Sequence, residues 1–231
     1  MRGPRGLTET GKGVPLNVFL SQEIQRFQMI LTIVRTTMVN MVDAIEGSII
    51  MTPDIVDAIN AVFDFRVPRN WCFDPTGAEI SWLTPSLASW IKGLLDRHHQ
   101  LNNWITKERP PSFWLTGFFN PQGFLTAMKQ EVTRQKKAQA WSLDEVDYTT
   151  DVLKEIIQGD DGRIEGKTIN PPPEGALIHG LYLEGAGWNR AERRIEDSNP
   201  KELFYTFPII HVSATSTAPQ TGGPGLGAKA K

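Results

Sequence analysis

The sequence is poor in the features that mark several large classes of protein. Its one cysteine, Cys72, can form no internal disulfide, which excludes a stapled secreted scaffold. Tyrosine is scarce, with 3 residues against 7 tryptophans, and the tryptophans are scattered through helices and junctions instead of lining a basic stripe, so a nucleic-acid stacking platform is not indicated. Neither sign of charge dominates. The net charge of -2 and a pI near 6.1 supply no general field for nucleic acid or an acidic membrane. No apolar run approaches the ~20 residues that span a bilayer, and Met1 to Pro15 lack a secretory apolar core. These absences predict a chain of a reducing compartment, in cytoplasm or cytoskeleton, with no nucleic acid and no membrane as partner.

What is present is the composition of a folded protein, with 40% hydrophobic and 22% charged residues in 231, enough for one large domain or two small ones. From Leu20 to Ile45 the apolar positions Leu20, Ile24, Phe27, Leu31, Val34, Met38, Met41 and Ile45 are spaced alternately four and three apart. That spacing predicts a long helix with one continuous seam, stopped by Gly47. The seam can pack within the chain, the commoner outcome, or join a second copy in a coiled coil.

Thr52 followed by Pro53 reads as a cap with proline at the first helical position, opening a second helix through about Phe65 that Pro68 bars from continuing. After a turn-rich stretch from Arg69 to Pro85, a third helix is predicted from Ser86 to Lys107, ended by Pro110 and Pro111. Asn120 and Pro121 repeat the cap-and-proline start for a fourth, which turns Phe124, Leu125, Met128 and Val132 inward. Beyond Trp141 the period becomes two. Leu177, His179, Leu181 and Leu183 alternate with Ile178, Gly180, Tyr182 and Glu184 as one strand, and a turn at Gly185 to Gly187 would pair it with a strand starting at Trp188. Leu203 to Val212 is a further strand, with Pro208 forcing an edge or a bulge. Val146 to Gln158 is ambiguous between helix and strand, and the stretch from Ser213 onward reads as a mobile tail.

A search for catalytic chemistry returns bland readings. Gly6 to Gly13 approaches a phosphate-binding loop through Lys12, but Gly13 stands where a Ser or Thr must hold magnesium, and no apolar strand precedes Gly6. Adjacent helical residues such as His98 and His99 diverge by about 100° and do not converge on a metal. His179 and His211 fall on inward-patterned strand positions, where a hydrogen-bonded core histidine is the usual outcome and a catalytic one the alternative. Asp160 and Asp161 lack the alternating oxygens of a calcium loop. Lys129, Arg134, Lys136 and Lys137 read as a solvated helix face interrupted by Glu131.

Two stretches exceed generic patterning. One is Pro111-Ser112-Phe113-Trp114-Leu115-Thr116-Gly117-Phe118-Phe119-Asn120-Pro121-Gln122-Gly123-Phe124-Leu125-Thr126-Ala127; the other is Ile178-His179-Gly180-Leu181-Tyr182-Leu183-Glu184-Gly185-Ala186-Gly187-Trp188. Both resemble the C-terminal region of dynein heavy chains, a resemblance that covers nearly all of residues 14 to 215 and leans toward the axonemal members through the wording from Gly180 to Gly187. It implies an α+β fold: a helical segment with a long helix, followed by a small antiparallel β-barrel. The expected division is a flexible segment over 1–14, a helical part over 15–140, a barrel part over 141–213 and a disordered Gly-rich tail over 214–231.

The resemblance further implies a structural or regulatory domain lying on a ring of AAA+ modules in a minus-end-directed microtubule motor of cytoplasm, cytoskeleton and the axoneme of cilia or flagella. ATP and magnesium would belong to upstream ring modules, and no catalytic, cofactor-binding or metal residue is carried over to this segment. Intermediate, light intermediate and light chains are implied partners in the wider complex, with microtubules met only indirectly. Structural roles fall on Trp114, Gly117, Phe118, Phe119, Asn120, Pro121, Phe124, Gly180, Tyr182, Gly185, Gly187 and Trp188. Gly117 would permit a close approach, the phenylalanines would fill the junction of helices and barrel, and Gly185 with Gly187 would aim Trp188 into the core. Two departures stand out. Family members continue past Val212 with strand-forming sequence, so the barrel here is expected to be incomplete with an open edge, and a sequence that begins without a ring module is expected to be a fragment, a truncated gene product or a free-standing C-terminal piece. The alternative function is a stand-alone adaptor dimerising through the heptad face of residues 20–45.

Overall fold

The computed structural model describes residues 13–107, 109–139, 141–153, 157–158, 164–165, 169–189 and 191–217. The phosphate-loop-like residues Gly6 to Lys12, the Asp160–Asp161 pair and the tail beyond Thr217 lie outside these. Helix α1 (Pro15–Ile45) opens on a proline and is the longest element. Its buried stripe keeps Leu20, Ile24, Phe27 and Met41 of the expected seam, but from Ile30 onward its other edge runs through Ile30, Thr37 and Ala44. Leu31, Met38 and Ile45, each one position later, are exposed. The stripe is rotated because the next two helices, α2 (Pro53–Phe63) and α3 (Arg69–Cys72), pack on the Thr37 side, where Asn70 Nδ2 donates to Thr37 Oγ1 at 2.8 Å and satisfies the buried hydroxyl. A seam held to an even four-three spacing passed over Ile30 and Ala44, and one drawn through apolar letters passed over Glu23 and Thr37; the continuous coiled-coil face of the adaptor reading is not what the helix presents.

Helix α2 (Pro53–Phe63) is capped as expected, Thr52 Oγ1 accepting from Ile55 N, but ends two residues before Phe65. The Arg66 amide donates to the Ala61 carbonyl and the Phe65 amide to Val62, leaving Phe65 at φ 57 where a glycine is usual. A short α3 (Arg69–Cys72) occupies the predicted turn-rich stretch and buries Trp71 and Cys72. Helix α4 (Leu87–Thr106) starts on Ser86, whose Oγ accepts from Ser89 N at 3.2 Å, and α5 (Pro121–Gln135) starts on Asn120, whose Oδ1 accepts from Gly123 N at 2.9 Å. At the end of α5 its cap residue Lys136 pairs with Glu174, while on the helix Arg134 Nη1 donates to the Gly13 carbonyl and Lys129 sits over the Tyr148 ring, so three of the four basic residues make intramolecular contacts.

The strands are β1 (Phe113–Trp114), β2 (Val146–Val152), β3 (Ile157–Gln158), β4 (Ile164–Glu165), β5 (Ala176–His179), β6 (Tyr182–Glu184), β7 (Ala186–Asn189), β8 (Arg194–Asp197), β9 (Phe204–Thr206) and β10 (Ile210–Ser216). One four-stranded sheet has the order β1-β5-β10-β2, with β1 parallel to β5 and the other pairs antiparallel; β3-β4, β6-β9 and β7-β8 form separate two-stranded ribbons. Among the described residues no barrel closes. The expected strand through 177–184 breaks at Gly180, whose φ of 77 turns the chain out of the sheet. The expected pairing across Gly185 to Gly187 is also replaced: β6 pairs with β9, β7 with β8, and Gly187 lies inside β7 while only Gly185, at φ 65, makes the corner. The predicted Leu203–Val212 strand is interrupted at Phe207, Pro208 and Ile209, consistent with the missing amide of Pro208. The ambiguous segment from Val146 becomes strand as far as Val152, and β10 continues past Ser213 to Ser216, a stretch expected in the tail.

The main core lies where α1, α4 and α5 meet the four-stranded sheet. Phe118 stacks on Phe124 at 5.1 Å, Phe19 meets Phe118 edge-on at 5.0 Å, and Phe113 lies 4.8 Å from both Phe124 and Trp104. Trp188 is not in this core. It is half-buried in the ribbon layer against Phe207 at 4.9 Å. Phe124→Ala should therefore cost roughly 3–5 kcal/mol and Trp188→Ala about 1–2 kcal/mol in urea unfolding. Equal losses would show that the ribbon layer carries as much of the core as the helix–sheet junction.

Candidate functional site

The two distinctive motifs meet at one side chain. Strand β1 sets Phe113 opposite Ile178 and Trp114 opposite His179, bringing the Trp114 indole against Gly180. A Cβ built on either Gly117 or Gly180 would overlap the Trp114 ring, so each motif supplies a glycine for close approach to the same indole. The backbone is pinned around it. Gln100 accepts from Trp114 N at 2.7 Å and donates to Trp114 O at 3.3 Å, while Thr116 Oγ1 donates to the Gly180 carbonyl at 3.0 Å.

Behind Trp114 stands a column of rings and one cation. The Arg97 guanidinium lies 3.8 Å from the Trp82 ring centroid and 4.9 Å from that of Trp114; Trp82 stacks on Trp90 at 4.9 Å, and Trp90 meets Trp71 at 5.0 Å. Arg97 is buried and donates to the Gly93 and Thr116 carbonyls at 3.1 and 3.4 Å. Burial brings its pKa down to about 10, so it stays charged at neutral pH, stabilised by the facing rings and the carbonyls.

On the other side of the junction Glu23 of α1, 2% exposed, accepts from Phe119 N at 2.7 Å and Asn120 N at 3.1 Å. It thereby ties α1 to the start of α5. Burial raises its pKa above the ordinary carboxyl value, opposed by those two amides and by the charges of Arg26 and Arg97. Glu23 and Arg97 were not singled out by sequence reasoning, although a signal exists. Arg97 falls in the 90, 94, 97, 101, 104 phase of the α4 stripe and Glu23 in the 16, 20, 23, 27, 30 phase of α1, so one charge of each sign occupies an apolar stripe.

The remaining predicted residues divide. Phe118 and Phe124 are buried in the main core, Phe119 packs toward Trp82 at 6.1 Å, and Asn120 with Pro121 starts α5. Tyr182 is exposed, a Cβ on Gly185 would meet open space, and Gly187 and Trp188 belong to the β7–β8 ribbon; these stand apart from the junction. His98 and His99 are exposed. His211 Nε2 donates to the Glu174 carbonyl at 2.8 Å. His179 Nδ1 and Ser112 Oγ are hydrogen-bonded at 2.6 Å, and burial lowers the His179 pKa to about 4, leaving a neutral ring at physiological pH. Among the described residues no three His, Cys, Asp or Glu side chains form a metal cluster. The junction is chemically suited to holding three helices on a sheet edge.

Gly180→Ala should destabilise the fold by about 2–4 kcal/mol, since the added methyl both meets Trp114 and strains a left-handed backbone; urea unfolding measures this, and a loss under about 0.5 kcal/mol would show that Trp114 moves aside freely. His179 gives a pH signature. Folding favours its neutral ring, so its contribution is complete above the ordinary value of 6.5 and is lost as pH falls toward about 4, a loss on the order of 3 kcal/mol. Titrating stability across that window should reveal the slope, and His179→Gln should flatten it; an unchanged slope in the variant would assign the acid sensitivity elsewhere.

Comparison with known proteins agrees with the motifs. The family described as the C-terminal domain of the dynein heavy chain matches residues 4–224. Mouse "Dynein axonemal heavy chain 8" is 42% identical over 206 residues, covering 89% of this chain and 4% of the relative. Mouse "Dynein axonemal heavy chain 5" is 41% identical over 208 residues, covering 90% and 4%. "Dynein gamma chain, flagellar outer arm" of Chlamydomonas reinhardtii is 41% identical over 202 residues, covering 87% and 4%. The chain thus spans about 4% of the length of these relatives. With its two motifs folded onto one another at Trp114 and its similarity running along almost its whole length, the protein belongs to the family of C-terminal domains of dynein heavy chains and is of axonemal type.

Proposed function

We propose that the chain serves as a structural and regulatory module of a ciliary or flagellar microtubule motor, seated on the ring of ATP-hydrolysing modules of a heavy chain and turning over no ATP itself. The observation that carries this reading is the use made of the family motifs. Gly117 of the first and Gly180 of the second meet at Trp114 in packing contacts, with Thr116 hydrogen-bonded to the Gly180 carbonyl, which makes this part of the motifs a device for fixing helices to a sheet. The names of the relatives, which include axonemal and flagellar outer arm chains, support placement in an axoneme. On this reading ATP and magnesium belong to the ring, and other dynein subunits and microtubules are reached through the larger assembly.

The test is reconstitution in trans. A mouse axonemal heavy chain 8 lacking the stretch matched by this chain should co-sediment with the purified 231-residue chain and change its microtubule-stimulated ATPase rate on binding it, whereas the chain alone hydrolyses no ATP. Failure to associate would remove the ring-seated reading, and ATP hydrolysis by the chain alone that disappears in Lys12→Ala would replace it with a nucleotide site at the N-terminus.

A further inference from the structure

Between Thr36 and Phe65 the sequence contains no Lys, Arg or His and five acidic residues, Asp43, Glu46, Asp54, Asp57 and Asp64. This segment is the end of α1, the connecting loop and all of α2. Against the net charge of -2 for the whole chain, it leaves the remainder with an excess of basic residues. Only Asp64 has an ion-pair partner among the described residues, Arg66 at 2.7 Å. The same hairpin gathers much of the exposed apolar surface. Met38, Val42 and Ile45 stand at i, i+4 and i+7 on one face of α1, and the loop continues with Ile50, which is 84% exposed, and Met51. At the other end of α2, Phe63 and Phe65 are 81% and 76% exposed, and Phe65 holds a strained left-handed backbone at φ 57.

From this we infer that the α1–α2 hairpin is the docking site for a basic amphipathic helix supplied by the rest of the heavy chain; the inference rests on the reading of the chain as a heavy-chain module. An apolar stripe at i, i+4, i+7 is the spacing by which a groove or helix face receives a partner helix, and methionine adapts to such partners through its flexible thioether. The acidic rim selects the partner's charge. Two copies of the hairpin would oppose like charges, and an anionic membrane would be repelled, while Lys and Arg flanking an apolar stripe would be attracted and oriented. The relatives place about 96% of their length outside the matched stretch, which provides a covalently linked partner at high effective concentration. The hairpin is also well placed to reach it, since a 31-residue α1 carries its tip about 46 Å from Pro15.

The probe is a fluorescent peptide of about 18 residues built from Leu and Lys at amphipathic helical spacing, with a Leu/Glu counterpart as control. The Lys peptide should bind the 231-residue chain, the Glu peptide should not, and affinity should fall about tenfold between roughly 50 and 300 mM salt. Val42→Asp with Ile45→Asp should weaken binding by about tenfold or more with the circular dichroism unchanged, because both side chains are exposed. Asp54→Asn with Asp57→Asn, which leaves the apolar face intact, should reduce the salt dependence. Equal binding of both peptides, or of neither, overturns the inference. In the trans assay, wild-type association that survives Val42→Asp with Ile45→Asp also overturns it while leaving the ring-seated reading intact. No wild-type association at all sinks that reading, and the heavy-chain source with it.

Discussion

The structure depends on an indole that must sit between two glycines. Trp114 closes a column that runs through Arg97, Trp82 and Trp90 to Trp71, and its ring edge is admitted only because Gly117 and Gly180 carry no Cβ. That constraint fixes the position of β1 beside β5, which in turn fixes where the four-stranded sheet begins relative to α4. A motif that looks like a string of separate structural residues is thus one interlocking contact contributed by two distant stretches of sequence.

Two buried charges frame the same contact without touching the exposed surface. Glu23 supplies acceptors to the two backbone amides ahead of α5, and Arg97 supplies a cation to two aromatic faces and two carbonyls. Burial dominates the ionisation of both, and the charge of each acts on the other as a smaller influence. Buried groups of this kind add less to stability than their geometry suggests, because desolvation offsets the gain; their contribution is that alternative packings of α1, α4 and α5 would strand a charge. Specific placement of three helices is the result.

Legibility in the sequence followed the range of the interaction. Thr52 with Pro53, and Asn120 with Pro121, marked helix starts correctly because a cap is a contact between neighbours. Strand extent was harder to read, because period two persists through Gly180 and up to Pro208 while the backbone leaves the sheet at those residues; which ribbon pairs with which is decided by tertiary geometry. The barrel implied by resemblance gave way to an open four-stranded sheet and separate ribbons for the same reason. Of the site, Trp114 and its glycines were visible as motif residues, but their mutual contact was not. Glu23 and Arg97 were hidden by the habit of reading a buried stripe through apolar letters only.

The parallel pairing of β1 with β5 also orders events in time. Ser112 and His179 are 67 residues apart, and Glu23 reaches an amide 96 residues away, so these links close long loops and form after the local helices. On a ribosome α1, α2 and α4 emerge whole, but the seat of Trp114, begun by Gln100, Arg97 and Gly117, is completed only when Gly180 has followed it out. For that interval the edge of the Trp114 ring that Gly180 later covers is open, and the helical part reaches its single packing only with the sheet in place.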